Sequence, residues 1–377
     1  MKVTTFACLD LNNKENKIKE LNLPEFKPTL AFAFSSVRIG IPDLVKNLGS
    51  LGVSIFGASS CGEVLSTDDK QSLYEESFVV AFTDISKNSF KQKLFRQEEN
   101  KSFKLGQDIG QWGATVFKNP VFLVVVSGLA TNGQKLVEGV INKAGNSTVM
   151  FGGLAGDDHM FENTYVFSHD EIIDNGANVV VLDGDKIEVN GLATSGWIEL
   201  GKDLKVTSAE GNIVYSIDNE PALDVYKRYL DVNDDDLPGI GVEYPLMIKR
   251  DNDTTAMRAV LGVDKEKKSL IFAGTVPKGS TVTFSSSPGF EVIETTIKKV
   301  EEFYNKHSEA DLLLLFSCMA RYKALGPTIT EEIQYPSKKW GVPLIGFFTY
   351  GEIGTNENVP CDFYNQTYTL VAIKETK

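Results

Sequence analysis

Hydrophobic residues fall in short, nearly unbroken runs, and the polar intervals between them carry glycine. Residues 29–34 and 52–56 read as buried strands, and between them residues 37–48, centred on Leu44 and Val45, suit a short helix. Residues 77–84 add another strand. The same order returns at residues 121–127, bounded by Pro120 and Gly128, and at residues 133–144, where Leu136, Val137, Val140 and Ile141 share one helical face. It returns again at residues 311–317, at a helix after Pro327 bearing Glu331 and Glu332 with Thr328 or Thr330 as its cap, and at residues 343–345. Residues 289–306 predict a longer amphipathic helix with Val292, Ile293, Thr296, Ile297, Val300 and Phe303 as its buried stripe. The charged stretch 87–110 predicts a helix or an extended excursion on the surface.

In each round the second strand runs into a glycine turn. The first reads Ile55-Phe56-Gly57-Ala58-Ser59-Ser60-Cys61-Gly62-Glu63-Val64 and the last Gly346-Phe347-Phe348-Thr349-Tyr350-Gly351-Glu352-Ile353-Gly354, with the glutamate six residues after the first glycine in both. A looser version is Phe151-Gly152-Gly153-Leu154-Ala155-Gly156-Asp157-Asp158. Three related strand-turn-strand units imply internal duplication. The expected fold is therefore α+β: repeated strand-helix-strand units forming mixed layered sheets with flanking helices, in two domains. The boundary falls near Asn219, giving domains 1–219 and 220–377, where Pro221 opens a helix over 221–230 with Asp218 or Asn219 as its cap. Asp183-Gly184-Asp185 reads as a hairpin link between 177–182 and 186–190.

The chain has 377 residues and a net charge of −13, which speaks against nucleic acid as partner because its basic stretches are interrupted by acids. The apolar runs are far shorter than the roughly 20 residues that span a bilayer, and no signal-like core occurs at the start, so a cytoplasmic protein without membrane insertion is expected. Four widely spaced cysteines and three histidines offer no zinc spacing, and the consecutive Asp157, Asp158 and His159 read as turn residues, not metal ligands. No phosphate loop, dinucleotide fingerprint or hydrolase elbow is present, so no cofactor is implied.

Candidate chemistry gathers at the strand ends. Glycine lets a backbone approach a ligand closely. Thr349 and Tyr350 supply hydroxyls beside Gly351, and Glu352 a carboxylate able to accept from an ammonium group. Arg321, after the strand end Ser317-Cys318-Met319-Ala320, could clamp a carboxylate. In the first turn Ser59, Ser60 and Glu63 either pack the loop or converge on the same ligand, and Asn365 follows the last turn. Those charges suit a small polar metabolite such as an amino acid. The bland alternatives are an ion pair between Arg321 and Glu352, and Phe347 and Phe348 as wall or core. A hydrolase with Cys318 or Cys61 as nucleophile is a second reading, and an interaction protein with a vestigial cleft a third.

These motifs, with Pro221-Ala222-Leu223-Asp224-Val225-Tyr226 and Phe363-Tyr364-Asn365-Gln366-Thr367, resemble the FIST domain family over about residues 30–371. Alanine stands at position 320, where the family usually has glycine before the arginine. The resemblance implies a cytoplasmic sensory module for small ligands, of a kind often joined to a kinase, cyclase or chemotaxis output domain. With no room here for such a domain, it implies signalling through a separate protein partner and a binding function more than catalysis.

Overall fold

Along Leu30–Ser35, Leu30, Phe32 and Phe34 face one way and Ala31 and Ala33 the other, because successive side chains of a strand alternate. The same division holds for Leu312–Cys318, with Leu312, Leu314 and Phe316 opposite Leu313 and Leu315, and for Pro120–Val126, with Leu123 and Val125 opposite Phe122 and Val124. Both faces are buried, which explains continuous hydrophobic runs in place of alternation. The inward sets of all three strands meet in one central cluster. The outward sets are covered by helices: Ile41–Gly49 on one sheet, Ser102–Val116 and Gly133–Ala144 on another, Phe290–Lys306 and Ile329–Trp340 on the third.

The computed structural model, which describes residues 1–8, 25–67, 72–233, 236–237, 239–250, 255–287, 289–357 and 359–376, gives those three six-stranded sheets one plan. A parallel pair sits at the centre of each: Leu30–Ser35 with Ser54–Ser59, Pro120–Val126 with Val149–Leu154, and Leu312–Cys318 with Leu344–Thr349. The first member pairs antiparallel with a returning strand, Phe78–Thr83, Gly176–Asp183 or Tyr368–Glu375 respectively. Outside that lies an antiparallel edge strand: Val3–Cys8, Phe90–Arg96 or Ile187–Thr194.

The other side of every sheet is completed by a hairpin from a different unit. Glu63–Ser66 and Leu73–Tyr74, which follow the first turn, join the sheet of the third unit by pairing with Leu344–Thr349. Glu352–Asn356 and Val359–Tyr364, after the third turn, join the second sheet beside Val149–Leu154. Val166–Phe167 and Ile172–Ile173, after the second turn, join the first beside Ser54–Ser59. The exchange is cyclic, and each glycine turn is the crossing point.

Gly57, Gly152 and Gly346 lie where the incoming hairpin or the parallel partner comes closest. At Gly346 a Cβ would stand 2.0 Å from the Leu315 carbonyl oxygen, a contact that only backbone movement relieves. Gly346→Ala is expected to cost on the order of 2–4 kcal/mol by overpacking, read as a lower urea midpoint with unchanged slope.

A fourth sheet is inserted between Ile187–Thr194 and the helix Phe290–Lys306. It holds Ile198–Glu210, Ile213–Ile217, Leu246–Lys249, Thr255–Arg258, Val260–Asp264, Ser269–Phe272 and Thr281–Ser286, with the helix Ala222–Leu230 over its own core. The molecule thus has two domain-like regions, the three-sheet body and the inserted sheet. The repeated strand-helix-strand units and flanking helices expected from the sequence are present.

Some local expectations change. The stretch 87–110 contains an edge strand and most of a helix, and that helix turns Leu105 and Ile109 inward with Gly106 and Gly110 against Gly133–Ala144, a stripe with few large side chains to announce it. Asp183-Gly184-Asp185 does not link a hairpin: Ile187–Thr194 leaves for Tyr368–Glu375, and Gly176–Asp183 pairs with Phe90–Arg96 and Pro120–Val126. Pro221 is itself the N-cap of Ala222–Leu230, with no side-chain cap from Asp218 or Asn219. Thr328 precedes its helix without a capping bond, its hydroxyl donating to the Leu325 carbonyl. Within the acidic loop after Leu230, Asp234 and Asp235 lie outside the described residues.

Candidate functional site

The three glycine turns meet at one end of the body. Cys61 N donates to Phe348 O and Phe348 N to Gly62 O, at 3.0 and 2.9 Å, tying the first turn to the third. Gly156 N donates to Ser59 O and Asp158 N to Ser60 O, both at 3.0 Å, tying the second to the first. Leu154 N donates to Gly351 O and Tyr350 N to Leu154 O, at 2.8 and 3.0 Å, closing the ring. Inside that ring the Tyr350 phenol donates to the Asp157 carboxylate and bonds the Cys61 thiol. Asp157 also accepts the backbone N–H groups of Phe161, Glu162 and Asn163, so it shapes its own turn. Among the described residues no cluster of three metal-ligating side chains forms.

The first and third turns carry the same buried carboxyl arrangement. Ser60 donates to Glu63, which also receives the Ser77 hydroxyl and, at 3.2 Å, the Ser77 N–H. Thr349 donates to Glu352, which also receives the Thr367 N–H at 3.1 Å. Ser77 and Thr367 each immediately precede a returning strand. Each glutamate therefore fastens the departure of a hairpin to its return. Burial pushes both carboxyls up from the ordinary 4.5 to about 8, against the lowering effect of those hydroxyl and N–H donors.

Arg321 is not free to clamp a ligand, and its partner is not Glu352. It is fully buried, and its Nε and Nη2 grip both Glu332 oxygens at 3.2 and 2.6 Å. Nη2 also donates to Thr296 Oγ1 at 3.0 Å, while Nη1 reaches the carbonyls of Gln366, at 3.3 Å, and Ser195. The guanidinium lies 5.3 Å from the Trp197 ring centre. The ion pair anchors the helix Met319–Leu325 to Ile329–Trp340.

A cavity of about 430 Å³ opens beside the ring of turns. Leu129, Leu154, Phe161 and Met319 give it apolar walls, and Ala259, Val260, Leu261 and Ala273 of the inserted sheet close its other side. Phe161 stacks on Tyr350 at 4.8 Å between ring centres. Polar groups are few: Thr131, Cys318, Lys323, Tyr350 and Asn365. Among the described residues, Asn365 Oδ1 and Thr131 Oγ1 are buried and have no hydrogen-bond partner, a costly state that a bound donor would relieve.

The residues expected from the sequence thus divide. Tyr350, Cys318 and Asn365 line the cavity. Ser59 is buried behind it, donating to Gly156 O at 2.6 Å and accepting Tyr165 N at 2.8 Å. Ser60, Glu63, Thr349 and Glu352 form the two latches, and Gly351 packs under the Phe363 ring, where a Cβ would meet it at 2.5 Å. Thr131, Lys323, Phe161 and the wall 259–261 went unrecognised, because nothing local places residues of the inserted sheet beside Tyr350.

The FIST N domain matches residues 29–220 and the FIST C domain residues 222–355, together most of the chain. The chain belongs to the FIST family. Comparison with curated proteins gives no match. FIST domains are sensory modules of signal transduction, so the general role of this FIST protein is sensing. None of its helices, among the described residues, is long and apolar enough to cross a membrane.

Proposed function

We propose that this FIST protein binds a small amino acid with an apolar side chain in the cavity beside Tyr350 and reports its occupancy to a separate protein partner. The observation that carries this reading is a cavity with apolar walls and two buried polar atoms lacking partners among the described residues. Asn365 Oδ1 would accept from the ligand ammonium group, and Lys323, exposed at the cavity and without a salt bridge among the described residues, would meet its carboxylate. The apolar walls select the side chain. Arg321, Glu63 and Glu352 hold the rim without touching the ligand. Because body and inserted sheet each form one side of the cavity, occupancy biases how the two regions meet, and that is a two-state element through which sensing can act. Leu129, Phe161 and Leu261 are exposed around the mouth, where a partner could read the change.

A cysteine hydrolase has less support. Burial pushes the Cys61 thiol up to about 11 and the Cys318 thiol well above its usual value, with the Glu352 carboxyl adding to the latter, so both stay protonated and weakly nucleophilic. Burial also lowers His159, beside Cys61, which disfavours the imidazolium that would stabilise a thiolate.

The test is thermal unfolding and calorimetry with leucine, methionine and phenylalanine against aspartate and lysine. An apolar amino acid at a hundred times its Kd should stabilise the protein by about 2.7 kcal/mol. Lys323→Ala and Asn365→Ala should each weaken binding about tenfold or more. No stabilisation by any of the apolar amino acids would remove this reading and leave the cleft to a protein partner.

A further inference from the structure

A second cleft, of about 470 Å³, lies away from the turns, where the inserted sheet meets the helix Gly133–Ala144. Its lining is basic: Lys205, Lys249, Arg250, Arg258 and Lys278 face it with Glu138 as the only acid among the lining residues. In a chain of net charge −13 that concentration is unusual. Some of this charge is spent. Lys249 pairs with Glu199 and Asp203, Arg250 with Asp362, and Glu138 with Lys135.

Three cations remain without a carboxylate partner among the described residues, namely Lys205, Lys278 and Arg258. Arg258 is the informative one, since its residue is 1 % exposed. Its guanidinium donates only to neutral acceptors: Thr275 O at 3.1 Å, Met257 O at 2.8 Å, Phe363 O at 3.3 Å and Gln134 Oε1 at 2.8 Å. That leaves one Nη2 hydrogen without a partner. A buried cation is costly unless an anion accompanies it, and the carboxylate that acts on this one, Asp362, is paired with Arg250 and takes no hydrogen bond from Arg258 among the described residues. Thr275 Oγ1, on the same cleft, is also buried and has no partner among the described residues. Burial lowers the Arg258 pKa to about 10, still far enough above neutrality to leave it charged.

We propose that this cleft is a binding site for a small multivalent anion, phosphate-bearing or polycarboxylate, held by Arg258 at its base and by Lys205 and Lys278 at its mouth. The site is separate from the cavity beside Tyr350, so either can fail without the other.

The experiment is calorimetric titration of the full chain with inorganic phosphate, pyrophosphate and citrate, at constant ionic strength held with sodium chloride. Pyrophosphate or citrate should bind more tightly than monovalent chloride, and the order of the three probes separates a phosphate from a carboxylate preference. Lys205→Glu with Lys278→Glu, both on exposed side chains, should weaken that binding by roughly a hundredfold while the unfolding transition stays cooperative. Gln134→Ala, which frees the Arg258 Nη2 group, gives a second variant with the lysines intact and should bind at least as tightly as the native chain. Absence of binding at millimolar concentration, or an affinity unchanged by the double charge reversal, would overturn the proposal.

Discussion

Replacing Arg321 by alanine is expected to cost about 3–5 kcal/mol of stability, because it leaves the Glu332 carboxylate buried with no counterion. Both side chains are wholly inaccessible to solvent, so water cannot replace the lost partner. The carbonyls of Ser195 and Gln366 lose a donor as well. Glu332→Leu alone should be comparably damaging, since it strands the guanidinium. Arg321→Ala combined with Glu332→Leu should be less destabilised than the sum of the singles by about 1–3 kcal/mol. Urea denaturation of the four proteins measures this coupling. An Arg321→Ala protein of native stability would mean that the guanidinium is available to solvent and hence to a ligand carboxylate.

The second large effect concerns pH. Glu63 and Glu352 hold their protons to about pH 8 in the native protein and would release them near 4.5 when unfolded. Between those values the native state binds more protons than the unfolded state, so stability falls as pH rises. It is fully present below about 4.5 and lost above about 8. Each carboxyl contributes a slope of about 1.4 kcal/mol per pH unit in that window. Urea midpoints at pH 5, 6, 7 and 8 should therefore decline steadily. Glu63→Gln with Glu352→Gln should flatten the profile and make the variant the more stable protein at pH 8. A midpoint that rises from pH 5 to pH 8 would show instead that Ser60, Ser77, Thr349 and Thr367 hold ionised carboxylates.

These two effects mark where the sequence was informative. The glycine-to-glutamate spacing in two turns is a local signal, and it led correctly to repeated units and to the equivalence of Glu63 and Glu352. A helical stripe likewise revealed Phe290–Lys306, and unbroken apolar runs the buried parallel strands, since each signal lies within one segment. Partnership was not legible. Arg321 has Glu352 and Glu332 as candidate partners, and only the packing of Met319–Leu325 on Ile329–Trp340 chooses between them. The buried Glu332 stands beside the exposed Glu331, and no pattern of charge tells one from the other. The cavity was hidden for the same reason: its walls come from segments around residues 129, 161, 260 and 320, each of which reads alone as an ordinary loop or strand.

The cyclic exchange of hairpins has a consequence for how the chain is made. Glu63–Ser66 waits for Leu344–Thr349, which leaves the ribosome about 280 residues later, and Val149–Leu154 waits for Glu352–Asn356. Until then Ser54–Ser59 and Pro120–Val126 can form their parallel pairs, but the second sheet stays open beside Val149–Leu154, and the hairpin of Glu63–Ser66 and Leu73–Tyr74 has no sheet to join. Such long loops must close before their contacts are rewarded, which slows folding and leaves strand edges exposed to other nascent chains. A cell that makes this protein must therefore shelter the growing polypeptide almost to its final strands, and its yield should respond to chaperone supply more than a sequential β-α-β protein of the same length.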